Sequence, residues 1–233
     1  MKLVVRRVYD FGAQRDEVGE TLLSPSAWDA VRRLPGAFHL DDTRAEWLAA
    51  GSSPPYPQRA QAVAALVREL GASSLCSHGA GGALLEQRLH ELMPELHLTC
   101  TDFAPETVAR LRELFTGADV VVADLLDPAS LPRAELHLMH RLDQELTREE
   151  WHDVFSGLDA PVLFVPSEIL TPTSAAKELA RRALRPRATR AGLFRNEAAL
   201  RDLWSSWFDD RHVQLADETG FLLTSRAPLR SPA

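Results

Sequence analysis

Ser73-Ser74-Leu75-Cys76-Ser77-His78-Gly79-Ala80-Gly81-Gly82-Ala83-Leu84-Leu85-Glu86 runs from a short apolar segment through a glycine cluster straight into a helical pattern. That order of events suits a nucleotide-shaped ligand. A strand brings the chain to a sheet edge, and a turn without side chains lets backbone come close. A helix N-terminus then offers unbonded N–H groups.

Outward from this turn, strands and helices alternate. Apolar runs predict strands at 74–77, 96–101, 120–123, 136–140 and 161–165, with helical spacing at 83–92, 105–115 and 148–158. Short apolar strands separated by helices imply parallel strands with right-handed crossovers, buried on both faces. Another amphipathic helix spans 196–208, with Leu200, Leu203, Trp204 and Trp207 on its apolar side. Residues 212–215 and 221–225 then read as an antiparallel hairpin around Ala216-Asp217-Glu218-Thr219-Gly220. The expected class is α/β: a Rossmann-like, mostly parallel seven-stranded sheet flanked by helices, with a C-terminal antiparallel β-hairpin and an N-terminal helical segment.

Upstream, Ser24-Pro25-Ser26 opens a run at 27–34, and Asp41-Asp42-Thr43 opens another at 44–50, closed by Gly51. Ser52-Ser53-Pro54-Pro55-Tyr56-Pro57 reads as a linker, and a helix at 58–70 follows, ended by Gly71. The expected division is therefore an N-terminal helical segment or lid at 1–56 and an α/β domain at 57–233.

The chain has 233 residues, 45% apolar and 25% charged, the proportions of a globular protein. A net charge of −7 and a pI near 5.6 argue against a general nucleic-acid binder. No apolar run approaches the roughly 18 residues of a membrane span, and 1–7 is too short for a secretory signal. The cytoplasm is the default compartment. Cys76 and Cys100 read as buried reduced thiols. No metal is expected, because His137 and His140 point to opposite faces of a strand and CxxC and HExxH are missing.

Two acids follow the glycine turn. Asp102 closes the second strand, 23 residues after Gly79. An acid there can accept hydrogen bonds from both hydroxyls of a ribose, or it can cap the helix that starts at Pro105. Asp124 ends the third strand, where a carboxylate can meet a purine amino group or stand solvated in a loop.

With these residues the chain resembles the class I S-adenosylmethionine-dependent methyltransferases over about residues 57 to 227. Gly79, Gly81, Asp102 and Asp124 stand at that family's glycine-loop, ribose and adenine positions. The Glu135–Leu142 stretch resembles its fourth strand, and the residues from Phe194 to Ser225 its last helix and hairpin. The resemblance implies S-adenosylmethionine as cofactor, held by Ser77, His78, Gly79, Gly81, Asp102, Phe103, Asp124 and Leu125. It also implies methyl transfer to a small molecule by in-line displacement, with proximity as the main catalytic factor. His140, at the tip of the fourth strand, is the candidate base; a binding or purely structural role is the other reading.

One departure stands out. The family places an acid two residues before the first glycine, and here that residue is Ser77, or Leu75 in the alternative register. Losing a charge-assisted hydrogen bond costs about 1.5–3 kcal/mol, or on the order of 10- to 100-fold in binding. A methyltransferase-like scaffold kept for partner binding or regulation is therefore the second reading. A nicotinamide oxidoreductase is third, since the sixth position from Gly79 is Leu84 rather than Gly or Ala. Lys177, Arg181, Arg182, Arg185, Arg187 and Arg190 form a basic run that suits an anionic substrate or a solvated helix face. Trp28, Trp47 and Tyr56 suit either a lid or the packing of a small helical segment.

Overall fold

The computed structural model describes residues 1–9, 24–34, 38–184 and 189–226, without the side chains of 8, 9 and 189–191. Strands are β1 (Val4–Tyr9), β2 (Ser74–His78), β3 (His97–Asp102), β4 (Asp119–Val122), β5 (Leu136–His140), β6 (Val162–Val165), β7 (Thr189–Arg195), β8 (Phe208–Leu215) and β9 (Glu218–Ser225). Helices are α1 (Pro25–Arg33), α2 (Arg44–Gly51), α3 (Tyr56–Leu70), α4 (Leu84–Leu92), α5 (Pro105–Leu114), α6 (Arg148–Ser156), α7 (Pro172–Leu184) and α8 (Glu197–Trp204).

Seven strands form one sheet in the order β4-β3-β2-β5-β6-β9-β8. The pairs among β2 to β6 are parallel, while β9 runs antiparallel to both β6 and β8. From β2 the chain moves outward to β3 and β4, then returns across β2 to β5 and β6. The switch point thus falls at the C-terminal ends of β2 and β5, where open α/β sheets place their ligands.

Alternation along each strand sends side chains to two faces. On the first face Leu75, Leu98, Leu136 and Leu163 pack with Val63 and Val67 of α3, Leu85 and Leu89 of α4, and Val108 and Leu111 of α5. On the second, Met139, Val162 and Phe164 pack with Trp151 and Phe155 of α6 and Leu200 and Trp204 of α8. Local signals set the helix ends. Thr43 with Glu46 and Thr147 with Glu150 form capping boxes, and Gly71 closes α3 in the left-handed region at φ 66°.

Several expectations shift. The supposed linker is a tight turn, because α3 already begins at Tyr56. The hairpin turn contracts to Ala216 and Asp217, since Leu215 pairs with Glu218. Asp217 is gripped there by a two-pronged hydrogen bond from Arg59 Nε (2.8 Å) and Nη2 (2.7 Å). The connection from β4 to β5 carries only a three-residue 3-10 turn, Pro128–Ser130.

Strand β1 was not foreseen. It pairs antiparallel with β7, joining the chain's first residues to the segment after β6. A two-stranded ribbon needs packing, and Val5 and Phe194 supply it together with Leu170 and Ala175, with Arg7 stacked 3.8 Å over the Phe194 ring. Of the basic run, Lys177, Arg181 and Arg182 are exposed on α7; Arg185, Arg187 and the Arg190 side chain lie outside the described residues. No described helix is long and apolar enough to cross a membrane.

Candidate cofactor site and active site

At the end of β2 the chain turns through Gly79 (φ 57°), Gly81 (φ 56°) and Ala83 (φ 48°), all left-handed, and enters α4. A side chain on Gly81 would be strained by its backbone and would put a Cβ 2.2 Å from Arg32 Nη2. Asp102 braces the turn from the adjacent strand. Its Oδ2 accepts the Gly81 N–H at 3.0 Å, and its Oδ1 accepts the Ala104 N–H, also at 3.0 Å. Burial raises its pKa, against the pull of those amides and of Arg32. Each oxygen keeps lone-pair capacity for a further donor.

Ser77 is buried, and its hydroxyl donates to Glu86 Oε1 at 2.6 Å. A carboxyl group from the first turn of α4, nine residues later, thus lies against the strand position that lacks one. Glu86 is 3% exposed; burial pushes its pKa up, while the Ser77 hydroxyl, its own amide and nearby His140 oppose that shift. The spacing from Ser77 to Glu86 across a turn and a helix start was the only sequence sign of this pairing.

His78 takes a different direction. Its ring lies in the buried layer on the second face, with Nδ1 3.2 Å from Thr101 Oγ1 and Nε2 2.9 Å from His137 Nδ1. Only its backbone is left to the turn. Asp124, two residues beyond β4, is exposed and accepts the Leu126 N–H at 2.9 Å, in the loop position weighed for it from sequence. Phe103 and Leu125 are half-buried at the same edge of the sheet. Asp102 pairs with Val122 across the β3–β4 ladder, so this edge brings the glycine turn, Asp102, Phe103, Asp124 and Leu125 onto neighbouring strands.

His140 ends β5. Its Nε2 lies 2.7 Å from Glu218 Oε2, and Arg141 Nε (3.0 Å) and Arg59 Nη2 (3.1 Å) approach Oε1 of the same carboxylate. Burial raises the pKa of Glu218, but His140 and the two arginines outweigh it and the net shift is downward. Glu218 was read as a turn residue from sequence; its role follows from the hairpin register.

The N-terminal segment reaches the same place. Trp47 Nε1 donates to Gly82 O at 2.7 Å from within the main core, and Asp29 accepts the Thr107 N–H at 3.0 Å at the start of α5. Arg32, on α1, donates to Phe38 O at 3.1 Å and brings its guanidinium against Gly81. Glu145, in the loop after β5, shares that electrostatic environment. Burial and the charge of Asp143 raise its pKa to about 7, against a hydrogen bond from Trp28 and the charges of Arg32. Neither Arg32 nor Glu145 follows a motif, which is why sequence reading passed over them.

No protein-family model matches the chain, and no curated protein sequence does. Solved structures do match. Human N-acetylserotonin methyltransferase in complex with SAM (S-adenosylmethionine) aligns at a TM-score of 0.59 and 18% identity, over 86% of this chain and 59% of that one. DesVI of Streptomyces venezuelae gives 0.59 and 11% identity, over 78% and 96%. PigF with SAH (S-adenosylhomocysteine) gives 0.61 and 14%, over 88% and 61%. The chain therefore spans about three fifths of the human enzyme and of PigF, and nearly all of DesVI. The fold is that of the SAM-dependent methyltransferases.

Proposed function

We propose that this chain is a SAM-dependent methyltransferase acting on a small molecule. The observation that carries the reading is the left-handed glycine turn tied by its Gly81 amide to Asp102 at the switch point of the sheet. The residues present suit the cofactor. Gly79 and Gly81 bring no side chain of their own to the turn, Asp102 retains acceptor capacity for ribose hydroxyls, and Phe103 and Leu125 offer apolar flanks with Asp124 beside them. The buried Glu86 carboxyl behind Ser77 offers an acid on the side of the turn where the cofactor's ammonium group would lie.

When bound, the cofactor supplies a methyl group already activated on a sulfonium. The chain's part is alignment, which alone accounts for large rate factors when reacting atoms are held in line. Where the acceptor must lose a proton, His140 takes it. With Nε2–H donated to Glu218, Nδ1 is the basic atom, and Glu218 stabilises the imidazolium that forms. Within the N-terminal segment, the helix α1 acts as the lid, through Arg32 and Trp28. An anionic acceptor would be met by Arg32.

The position of Arg32 also supports a second reading. A guanidinium lodged at Gly81 and attracted by Asp102 can fill the cradle of a scaffold that no longer binds cofactor. Titration calorimetry with S-adenosylhomocysteine separates the two. The enzyme reading expects saturable binding that weakens on the order of 10- to 100-fold in Asp102→Asn. No heat at millimolar ligand, with Arg32→Ala restoring binding, supports the scaffold and overturns the enzyme.

A further inference from the structure

One cluster of metal-capable side chains has no part in that chemistry. Cys76 and His78 lie two residues apart on β2 and face the same side, and Cys76 pairs directly with His137 of β5. The Cys76 thiol and one nitrogen from each imidazole lie within 4.8 Å of one another, and all three residues are buried. We propose that Cys76, His78 and His137 form a binding site for a single soft metal ion, copper(I). The proposal is independent of the methyl-transfer reading.

Placement comes first. All three residues sit in the central β2–β5 ladder of the sheet, so register holds them together. Donor type comes second. One thiol and two imidazoles suit soft and borderline ions, whereas magnesium and calcium require oxygen ligands. Met139 pairs with His78 in the same ladder and brings a buried thioether to that face. Charge decides between the soft ions. A thiolate with copper(I) sums to zero, while zinc(II) would leave a positive charge in a layer whose neighbours Thr99, Thr101 and Met139 are uncharged. Asp159, the acid that acts on His137, is exposed.

One imidazole gives one nitrogen to an ion. Through Nε2, His78 has His137 Nδ1 at 2.9 Å, a contact that must open by a few tenths of an ångström, to roughly 3.3 Å, while its Nδ1 stays 3.2 Å from Thr101 Oγ1. Cys76 Sγ, 3.9 Å from Nδ1 of that ring, must turn towards Nε2 to complete the set, whose donor atoms lie within 4.8 Å of one another. Loading forms a Cys76 S–Cu bond and releases the thiol proton to solvent; the imidazoles stay neutral, each keeping its N–H on the nitrogen that does not bind.

The test uses the full chain, reduced and stripped of metal. It is titrated anaerobically with copper(I) against bicinchoninate, and a parallel sample is refolded with copper(I) present, because the site is buried. The expected result is one tightly held equivalent per chain, a raised thermal midpoint, and at least roughly 100-fold weaker binding in Cys76→Ser. Cys100→Ser, whose thiol is on the opposite face, keeps full affinity. His137→Gln reports in place of Cys76→Ser if that variant does not fold. Failure of the refolded chain to hold more copper than these variants overturns the site, and tighter binding of zinc(II) than of copper(I) overturns the choice of ion.

Discussion

Beneath β5 and β6 the second face of the sheet is filled by rings, with Phe164 within 5.2–5.9 Å of Trp151, Trp204 and Phe155. Beneath β2 and β3 the same face carries Cys76, His78, Thr99 and Thr101, with His137 beside them at the start of β5, and His78 lies within hydrogen-bond distance of both Thr101 and His137. The ring-filled half is covered by α6 and α8, whose Trp151, Phe155, Leu200 and Trp204 belong to its core cluster; the other half gives no residue of β2 or β3 to that cluster. The contrast teaches that one face of one sheet is buried in two ways. Where α6 and α8 dock, burial selects large apolar side chains; under β2 and β3 the buried polar groups are satisfied laterally within the sheet.

The largest effect expected from this contrast is in the ring-filled half. Phe164→Ala should destabilise the chain by about 3–5 kcal/mol in urea unfolding, and a value below 1 would mean that the rings are not a shared core. His78→Ala should cost less, about 1–3 kcal/mol, because it strands Thr101 and His137 without partners. Replacing His78 and His137 together by Leu should cost less than the sum of the two single replacements, and simple additivity would deny their coupling. A smaller effect belongs to the acids near the active site. Burial lifts Asp143 to about 6 and Glu145 to about 7, both above their ordinary values, so the folded state binds more protons than the unfolded. The contribution of these two acids to stability should therefore be full below about pH 4 and be lost as pH rises to about 7, with Glu145→Gln removing its share of that slope in thermal melts. Smallest of all, Asp124→Ala should change stability by no more than about 0.5 kcal/mol, since the side chain is exposed. A larger loss would make its local turn structural.

Legibility followed sequence distance. The glycine turn, its strand and its helix were readable because each signal lies within a few residues of the next, and Asp102 was readable because crossover length is regular. The hairpin was found but its register was not, since Arg59 grips Asp217 from 158 residues away. For the same reason β1 was invisible: half of its ribbon is Thr189–Arg195, and the run Val4–Tyr9 has no partner nearby. Glu86 and Arg32 reach the turn by packing, which no local spacing encodes. The serine in place of an acid read as a loss; in three dimensions its hydroxyl meets the carboxyl group of Glu86, nine residues later.

The β1–β7 ribbon has a consequence for synthesis. Tyr9 leaves the ribosome about 180 residues before Thr189, its pairing partner, a wait on the order of ten to forty seconds at ordinary elongation rates. Strands β2 to β6 are complete before then. The ribbon is consequently a late fastening on a sheet whose parallel strands already exist, and Val4–Tyr9 must remain uncommitted, and protected from wrong partners, until Thr189–Arg195 has been made.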